Sequence, residues 1–273
     1  MKRAFSIVFL GTTLGALLCP SVVSAGAILA TAQSFAVLGD TVTNTGSTGV
    51  TGDLGVTPGT SVTGFPPGTV DGTIHLNDQI AQDALADATT AYNTLTGLLP
   101  FVDLTGQDLG GMTLTPGVYK FSTSAALTGN LTLDFQDKPN MGFVFQIGST
   151  LTTSVGSNVI VSNGTPTSGL YWQVGTSATL GTSSAFAGNI LADQSITLNT
   201  GASLLGRAFA RVATVTLDTN LISNNNAQDF GSEGFSGSTV PEPSVLLLFG
   251  TAFAGLAGSR SRGKRSQSAP TKG

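Results

Sequence analysis

The sequence predicts a mainly β protein, a β-solenoid with one long α-helix packed along one face, and three observations carry that prediction. A short pattern of small polar residue, apolar residue and threonine recurs through the chain at intervals close to nineteen residues. Stretches rich in aromatic and β-branched residues alternate with it, as in Gly142-Phe143-Val144-Phe145-Gln146-Ile147 and Gly169-Leu170-Tyr171-Trp172-Gln173-Val174. One segment alone, Asn77 to Leu95, leaves the β pattern for alanine, aspartate and glutamine without glycine or proline.

The repeat is clearest in Ser177-Ala178-Thr179-Leu180, Ser195-Ile196-Thr197-Leu198 and Thr214-Val215-Thr216-Leu217. Weaker copies are Gly111-Met112-Thr113-Leu114, Asn130-Leu131-Thr132-Leu133 and Thr150-Leu151-Thr152-Thr153, with Gly49-Val50-Thr51 and Ser61-Val62-Thr63 near the N-terminus. From Thr113 onward the threonine returns after 19, 20, 27, 18 and 19 residues. That period suits coils of short strands, none of which buries its apolar face without neighbours. Successive strand residues face opposite ways, so Ile196 and Leu198 belong inside while Ser195 and Thr197 face out. Coils stacked about 4.8 Å apart then place the outward threonines in a column. The aromatic stretches, together with Gly188-Asn189-Ile190-Leu191-Ala192, are expected to pack inward.

In the alanine-rich segment, Ile80, Ala84, Ala88, Ala91, Tyr92 and Leu95 recur at helical spacing, which predicts an amphipathic helix over about residues 77–96. Asn77 or Asp78 is available as its N-cap. The helix is expected to cover a core flank of the solenoid and to have no activity of its own.

Both ends read as export signals. Met1-Lys2-Arg3 is followed by an uncharged apolar stretch and by Val23-Ser24-Ala25, a signal peptide over 1–25 with cleavage after Ala25. The solenoid domain is assigned to 26–235 and a linker to 236–244. That linker contains Pro241, Glu242 and Pro243, and an apolar segment (245–258) and a basic tail (259–273) follow it. The order of short motif, apolar run and positive charges resembles the PEP-CTERM sorting signal. The resemblance implies processing by an exosortase-type transpeptidase. Membrane contact is expected only through the two end segments.

Composition excludes several classes. Cys19 is the only cysteine and lies in the signal, so the exported domain has no disulfide framework and no thiol nucleophile. Between Gly26 and Val240 the basic residues are Lys120, Lys138, Arg207 and Arg211, against fourteen acidic residues, a formal charge of −10. Nucleic acid is therefore not an expected partner. His75, the only histidine, is expected in a solvated or capping role, and Asp40, Asp53, Asp103, Asp134, Asp193 and Asp218 read as turn residues rather than paired catalytic carboxylates. No nucleophile-elbow, zinc-protease or EF-hand spacing occurs, so no enzyme, metal or cofactor is expected.

Several stretches in order resemble the microbial ice-binding proteins: Ser34-Phe35-Ala36-Val37-Leu38-Gly39, Val50-Thr51-Gly52-Asp53-Leu54-Gly55-Val56, Leu114-Thr115-Pro116-Gly117-Val118-Tyr119, Tyr171-Trp172-Gln173-Val174 and Thr200-Gly201-Ala202-Ser203-Leu204-Leu205-Gly206-Arg207. They span roughly residues 30 to 223. The resemblance implies a right-handed, triangular, discontinuous β-solenoid whose coils are not stacked in chain order, with a flat face that adsorbs to an ice crystal surface. Some family members carry Thr-Ala/Gly-X-Thr on that face. Thr48-Gly49-Val50-Thr51 fits, Thr60-Ser61-Val62-Thr63 and Thr176-Ser177-Ala178-Thr179 place serine at the small position, and Gln194-Ser195-Ile196-Thr197 departs at its first position too. The expected ice-contacting residues are Thr51, Thr63, Thr113, Thr132, Thr150, Thr152, Thr179, Ser195, Thr197, Thr214 and Thr216. Thr182, Thr200 and Thr219 form a neighbouring set that could instead carry the face. The alternative function is a cell-surface adhesion or biofilm-matrix protein of the same fold, with exopolysaccharide as partner.

Overall fold

The alternation of apolar and small polar residues does build coils, each of three short strands that run parallel to their counterparts above and below. The computed structural model describes residues 28–100, 102–137, 141–164 and 168–224. The expected signal peptide, the linker with Pro241, Glu242 and Pro243, the apolar segment and the basic tail lie outside the described residues.

Three faces result. The first holds Val102–Asp103, Gly117–Phe121, Gly142–Ile147, Gly169–Val174, Asn189–Ala192 and Ala208–Ala210, then the opening halves of the long strands Phe35–Thr45 and Asp53–Thr63, and finally Ile74–Leu76. The second holds Ala125–Leu127, Leu151–Thr153, Ala178–Leu180, Ile196–Leu198 and Thr214–Asp218, completed by the closing halves of the same two long strands. Both long strands turn the corner between these faces, with a register shift between Gly39 and Thr41. The third face runs Thr113–Leu114, Asn130–Asp134, Asn158–Ser162, Ala185–Ala187, Ser203–Leu205, Leu221–Ser223, Gly49–Thr51 and Thr69–Asp71.

Stacking order is not chain order. The last coil in sequence lies against the first, with Val37 opposite Ala208, Thr41 opposite Thr214 and Gly49 opposite Leu221. The helix Gln79–Thr96 carries the chain from one end of the stack back toward the other, so the solenoid is discontinuous. At the seam, the Asn224 amide nitrogen donates to the Ser34 carbonyl at 2.7 Å and its backbone N–H to the Thr51 carbonyl at 3.1 Å. Buried Arg207 joins the same corner through the Gln33 carbonyl, 2.6 Å from Nη2, and the Asn189 side chain, 3.1 Å from Nη1.

The middle of the first face is buried on both sides, which corrects the expectation that its aromatic stretches only pack inward. Tyr119, Phe145 and Trp172 stack through the interior, with centroids 5.4 and 3.9 Å apart. The alternate residues Val144, Tyr171, Leu191 and Phe209 point the other way and pack against Ala84, Ala88, Ala91 and Leu95 of the helix. Small alanines let the helix approach closely, and dispersion with the sheet replaces the solvent that would otherwise cover it.

Asp78, one of the two residues expected to cap this helix, accepts from the Ala81 N–H at 2.9 Å. Ile80 is not on the buried stripe: it is 54% exposed, and Ala81 takes the inward position one residue later. His75 is buried rather than solvated. Its Nδ1 lies 2.8 Å from the second Asp78 oxygen and its ring packs 5.2 Å from Phe35, so it steadies the cap. Several aspartates do tie turns, but Asp193 does not: it pairs with Arg211 at 2.6 Å, and Arg211 lies 4.4 Å over the Tyr92 ring.

Two consequences for stability follow. Burial raises the Asp108 carboxyl, but the Gly110 and Thr128 N–H groups and the Thr128 hydroxyl outweigh it and hold the group below its ordinary range. The Thr105 hydroxyl and N–H lower Asp103, and the Asn163 side chain and Gln136 N–H lower Asp134. Folded values below the unfolded one, about 3.9, contribute stability above that pH and lose it as pH falls through the folded values. Thermal melts across pH should therefore hold level toward about pH 4 and fall below it, with a shallower fall in Asp108→Asn. Replacing Arg207 strips donors from the Gln33 carbonyl and Asn189 in a buried corner, so urea unfolding of Arg207→Ala should show a loss of at least about 2 kcal/mol.

Candidate functional site

The second face is the regular one, and its regularity begins at the corner that feeds it. In four successive coils, three residues join the first-face strand to the second-face strand: 122–124, 148–150, 175–177 and 193–195, and the next coil adds one residue before Val215, the partner of Ile196. Equal connections deliver those four strands at the same point, and the ladder pairing brings the remaining strands into line with them. Backbone bonds at each step, such as Leu151 N–H to Ser177 O at 3.1 Å and Ala178 N–H to Ser195 O at 3.0 Å, lock that register.

Outward side chains form two columns. The central one runs Ala126, Thr152, Thr179, Thr197, Thr216, Thr43 and Thr63, each paired with the next in register. Two residues earlier in each strand path lies a flanking column: Ser124, Thr150, Ser177, Ser195, Thr214, Thr41 and Ser61. The intervening residues Leu151, Ala178, Ile196, Val215 and Val42 are buried beneath. The grid repeats at about 4.8 Å across strands and about 6.7 Å along them.

Neither column holds an ionisable group. The nearest charges sit at the margins and are engaged: Asp193 with Arg211, Asp218 with the hydroxyls of Thr200 and Thr219, and Asp40 with the Gly59 N–H and the Thr41 hydroxyl. Hydroxyl contact within the columns is sparse, with Thr43 and Thr216 oxygens 3.5 Å apart and Thr150 donating to Ser124 at 2.9 Å. Their remaining capacity faces solvent. A β-branched residue at most central positions also restricts χ1, so the hydroxyl and methyl directions repeat.

Of the eleven residues expected to act together, the structure gathers eight here: Thr63, Thr150, Thr152, Thr179, Ser195, Thr197, Thr214 and Thr216. Thr51, Thr113 and Thr132 lie on the third face. Thr48-Gly49-Val50-Thr51, the full match to the family motif, falls there too, with Thr48 buried and donating to Asn44. The alternation that marks a strand with one wet side is the same on both faces, so the motif alone does not separate them. Thr182, Thr200 and Thr219 sit in the turns between the second and third faces, and two of them are bound to Asp218. Thr41 and Thr43 belong to the columns and were missed, although Thr41-Val42-Thr43 carries the same small-apolar-threonine order.

The third face lacks such order. In register with Thr132 stands Ile160, 43% exposed, and in register with Gly49 and Ser203 stands Leu221, 62% exposed. Side chains of unequal size leave a groove of about 510 Å³ over Phe186, Leu205 and Leu221. A second cleft of about 440 Å³, between the helix end and the first face, is lined by Tyr92, Lys120, Gln146 and Gln173, and the Gln146 amide already caps the Leu95 and Leu98 carbonyls. Among the described residues no three His, Cys, Asp or Glu side chains are grouped as metal ligands.

Comparison with known proteins agrees with this architecture. Residues 37–223 match the family model described as ice-binding-like, and residues 239–262 match the PEP-CTERM protein-sorting motif. An ice-binding protein of Nostoc sp. (strain HG1) is 52% identical over 232 residues, 84% of each chain. The crystal structure of an ice-binding protein from the Antarctic ascomycete Antarctomyces psychrotrophicus superposes with a TM-score of 0.70 at 40% identity, covering 75% of this chain and 99% of that one. One from an Antarctic biological consortium gives 0.69 at 45% identity, covering 80% and 96%.

Proposed function

The chain belongs to the ice-binding-like family, and from that premise we propose that it adsorbs to ice through the second face of its solenoid. The single observation that carries this assignment is the pair of seven-rung columns of threonine, serine and one alanine, uncharged and in register. The working residues are Thr41, Thr43, Thr63, Thr150, Thr152, Thr179, Ser195, Thr197, Thr214 and Thr216. Thr51, Thr113 and Thr132 serve the third face and take no part.

Ice presents neither a pocket nor a net charge, only a lattice of oxygens that donate and accept hydrogen bonds. A surface that holds it must order water in two dimensions at once. On this face the hydroxyls bind water while the methyls between them restrict where that water sits. Each such bond is worth only about 0.5–1.5 kcal/mol net. Many form together here because the ladder beneath is already rigid, and little further ordering entropy is lost on contact. Charged groups would hold their own hydration shells and disrupt the lattice order, which explains why they stand at the margins and are paired. The reading contains no catalytic step and no cofactor.

The match to the sorting motif supports export, with Pro241, Glu242 and Pro243 as the determinant read by an exosortase and a location at the cell surface or in the exopolymer. The signal peptide over 1–25 supplies the first step of that route.

Residues 26–240 should show thermal hysteresis and inhibit ice recrystallisation. Thr197→Tyr and Thr43→Tyr each place a bulky ring in the central column and should abolish most of both activities, with unchanged circular dichroism. Thr132→Tyr, on the third face, should leave them near wild type. An inactive wild-type domain, or equal damage from all three variants, would overturn the proposal.

A further inference from the structure

One row of the first face changes character where the helix ends. Leu38, Phe209 and Leu191 stand in register and pack beneath the helix. The same row continues in register as Gln173, Gln146 and Lys120. The helix stops at Thr96, and this polar stretch borders the cleft of about 440 Å³ beside its last turn. Small-molecule sites usually measure about 300–1,000 Å³.

Two of these residues are almost fully enclosed, Gln146 at 8% and Gln173 at 5% exposure. A buried amide is costly unless its bonds are made. The Gln146 nitrogen donates to the Leu95 and Leu98 carbonyls at 2.7 and 2.8 Å, which fixes the orientation of the amide. Its oxygen is turned from those carbonyls and accepts no hydrogen bond among the described residues. The Gln173 side chain engages the hydroxyl of Tyr92, whose ring forms one wall and is held by the Arg211 guanidinium 4.4 Å above it. Lys120 is exposed, and its ammonium makes no ion pair or hydrogen bond among the described residues, whereas Arg207 and Arg211 are both engaged. The cleft thus offers a free acceptor on Gln146 and free donors on Lys120 and Ser122, beside an aromatic wall.

Its charges select among ligands. An anion would meet Lys120, but also the carbonyl end of the helix and Asp103, the in-register neighbour of Lys120. A cation would meet the ammonium. A neutral ligand with closely spaced groups that donate and accept, and with an apolar ring face, satisfies every one of these features.

We propose that this cleft binds a neutral saccharide, with Gln146 Oε1 and Lys120 Nζ bonding adjacent sugar hydroxyls and the Tyr92 ring facing the C–H side of the sugar. The site shares no residue with the threonine and serine columns, so it stands whether or not the second face adsorbs ice. Few contacts in an open cleft set a dissociation constant on the order of 1 mM.

Cellotriose, maltotriose and xylotriose are titrated separately into the exported chain and followed by side-chain amide NMR, with glucuronate as the anionic comparison. At least one neutral trisaccharide should bind and shift the Gln146 and Gln173 amide signals. Lys120→Ala should weaken that binding about tenfold. Thr96→Trp, which brings a ring into the cleft from an exposed position at the helix end, should abolish it. Thermal hysteresis and circular dichroism should match wild type in both variants. If Thr96→Trp disturbs the helix, Lys120→Ala decides alone. No binding by any of the three trisaccharides, tighter binding of glucuronate, or an affinity unchanged in Lys120→Ala overturns the site.

Discussion

Everything in this molecule depends on the in-register parallel backbone ladder between coils. It sets one spacing for all three faces, and each side chain inherits its neighbour's position a fixed step away. On most proteins a surface threonine is an isolated polar group with many rotamers. Here the ladder repeats its environment from coil to coil, and the β-branch narrows the rotamers that remain. Entropy is lost once, when the solenoid folds, rather than again at each contact. The interior makes this possible without disulfides: Tyr119, Phe145 and Trp172 stack along the core, and the alanine ridge of the helix seals the first face from outside.

How much of this was legible in the residues depends on what kind of signal each feature leaves. The coils, the helix and its cap are written locally, in alternation and spacing, and the structure agrees with them apart from the phase of Ile80 and the burial of His75. The identity of the faces is not local. Thr113 to Thr132 spans 19 residues and stays on the third face, whereas Thr132 to Thr152 spans 20 and moves to the second. The two intervals look alike because the coils in that region are longer. Asn130 to its partner Asn158 is 28 residues, while Ala178 to Ile196 is 18. An interval near nineteen is therefore a whole coil in one place and part of a coil in another. Thr41 and Thr43 were hidden for a different reason, since they lie within an eleven-residue strand that turns a corner and so lacks the short flanked motif of the other copies.

The same difference in coil length explains why irregularity elsewhere does not spoil the second face. The extra residues of the long coils fall between Asp134 and Gly142 and between Ser162 and Gly169, at the corner between the third and first faces. Short coils pass that corner in one or two residues. Loop length there is nearly free in energy, because closure entropy grows only slowly with length. The corner feeding the second face varies less, but it too absorbs extra residues: one residue separates Gly39 from Thr41 where four separate their partners Val56 and Ser61, and the ladder resumes in phase beyond it. Four coils, from residue 117 to 198, share a three-residue connection there, and in the next coil one residue more separates Ala210 from Val215, the partners of Ala192 and Ile196.

The longest connections thus lie on the side away from the second face, and the seam is found on that side as well. A break in chain continuity would weaken a regular face if it fell there, since the strand ends would lack a covalent neighbour to hold their register. Both long strands instead carry their chain unbroken around the corner into the second face, so the two coils nearest the break reach the columns as continuous backbone. The discontinuity is absorbed where Asn224 and Arg207 can bridge it with side-chain hydrogen bonds. A solenoid built this way can accept a loop or a seam at one corner while the opposite face keeps its period.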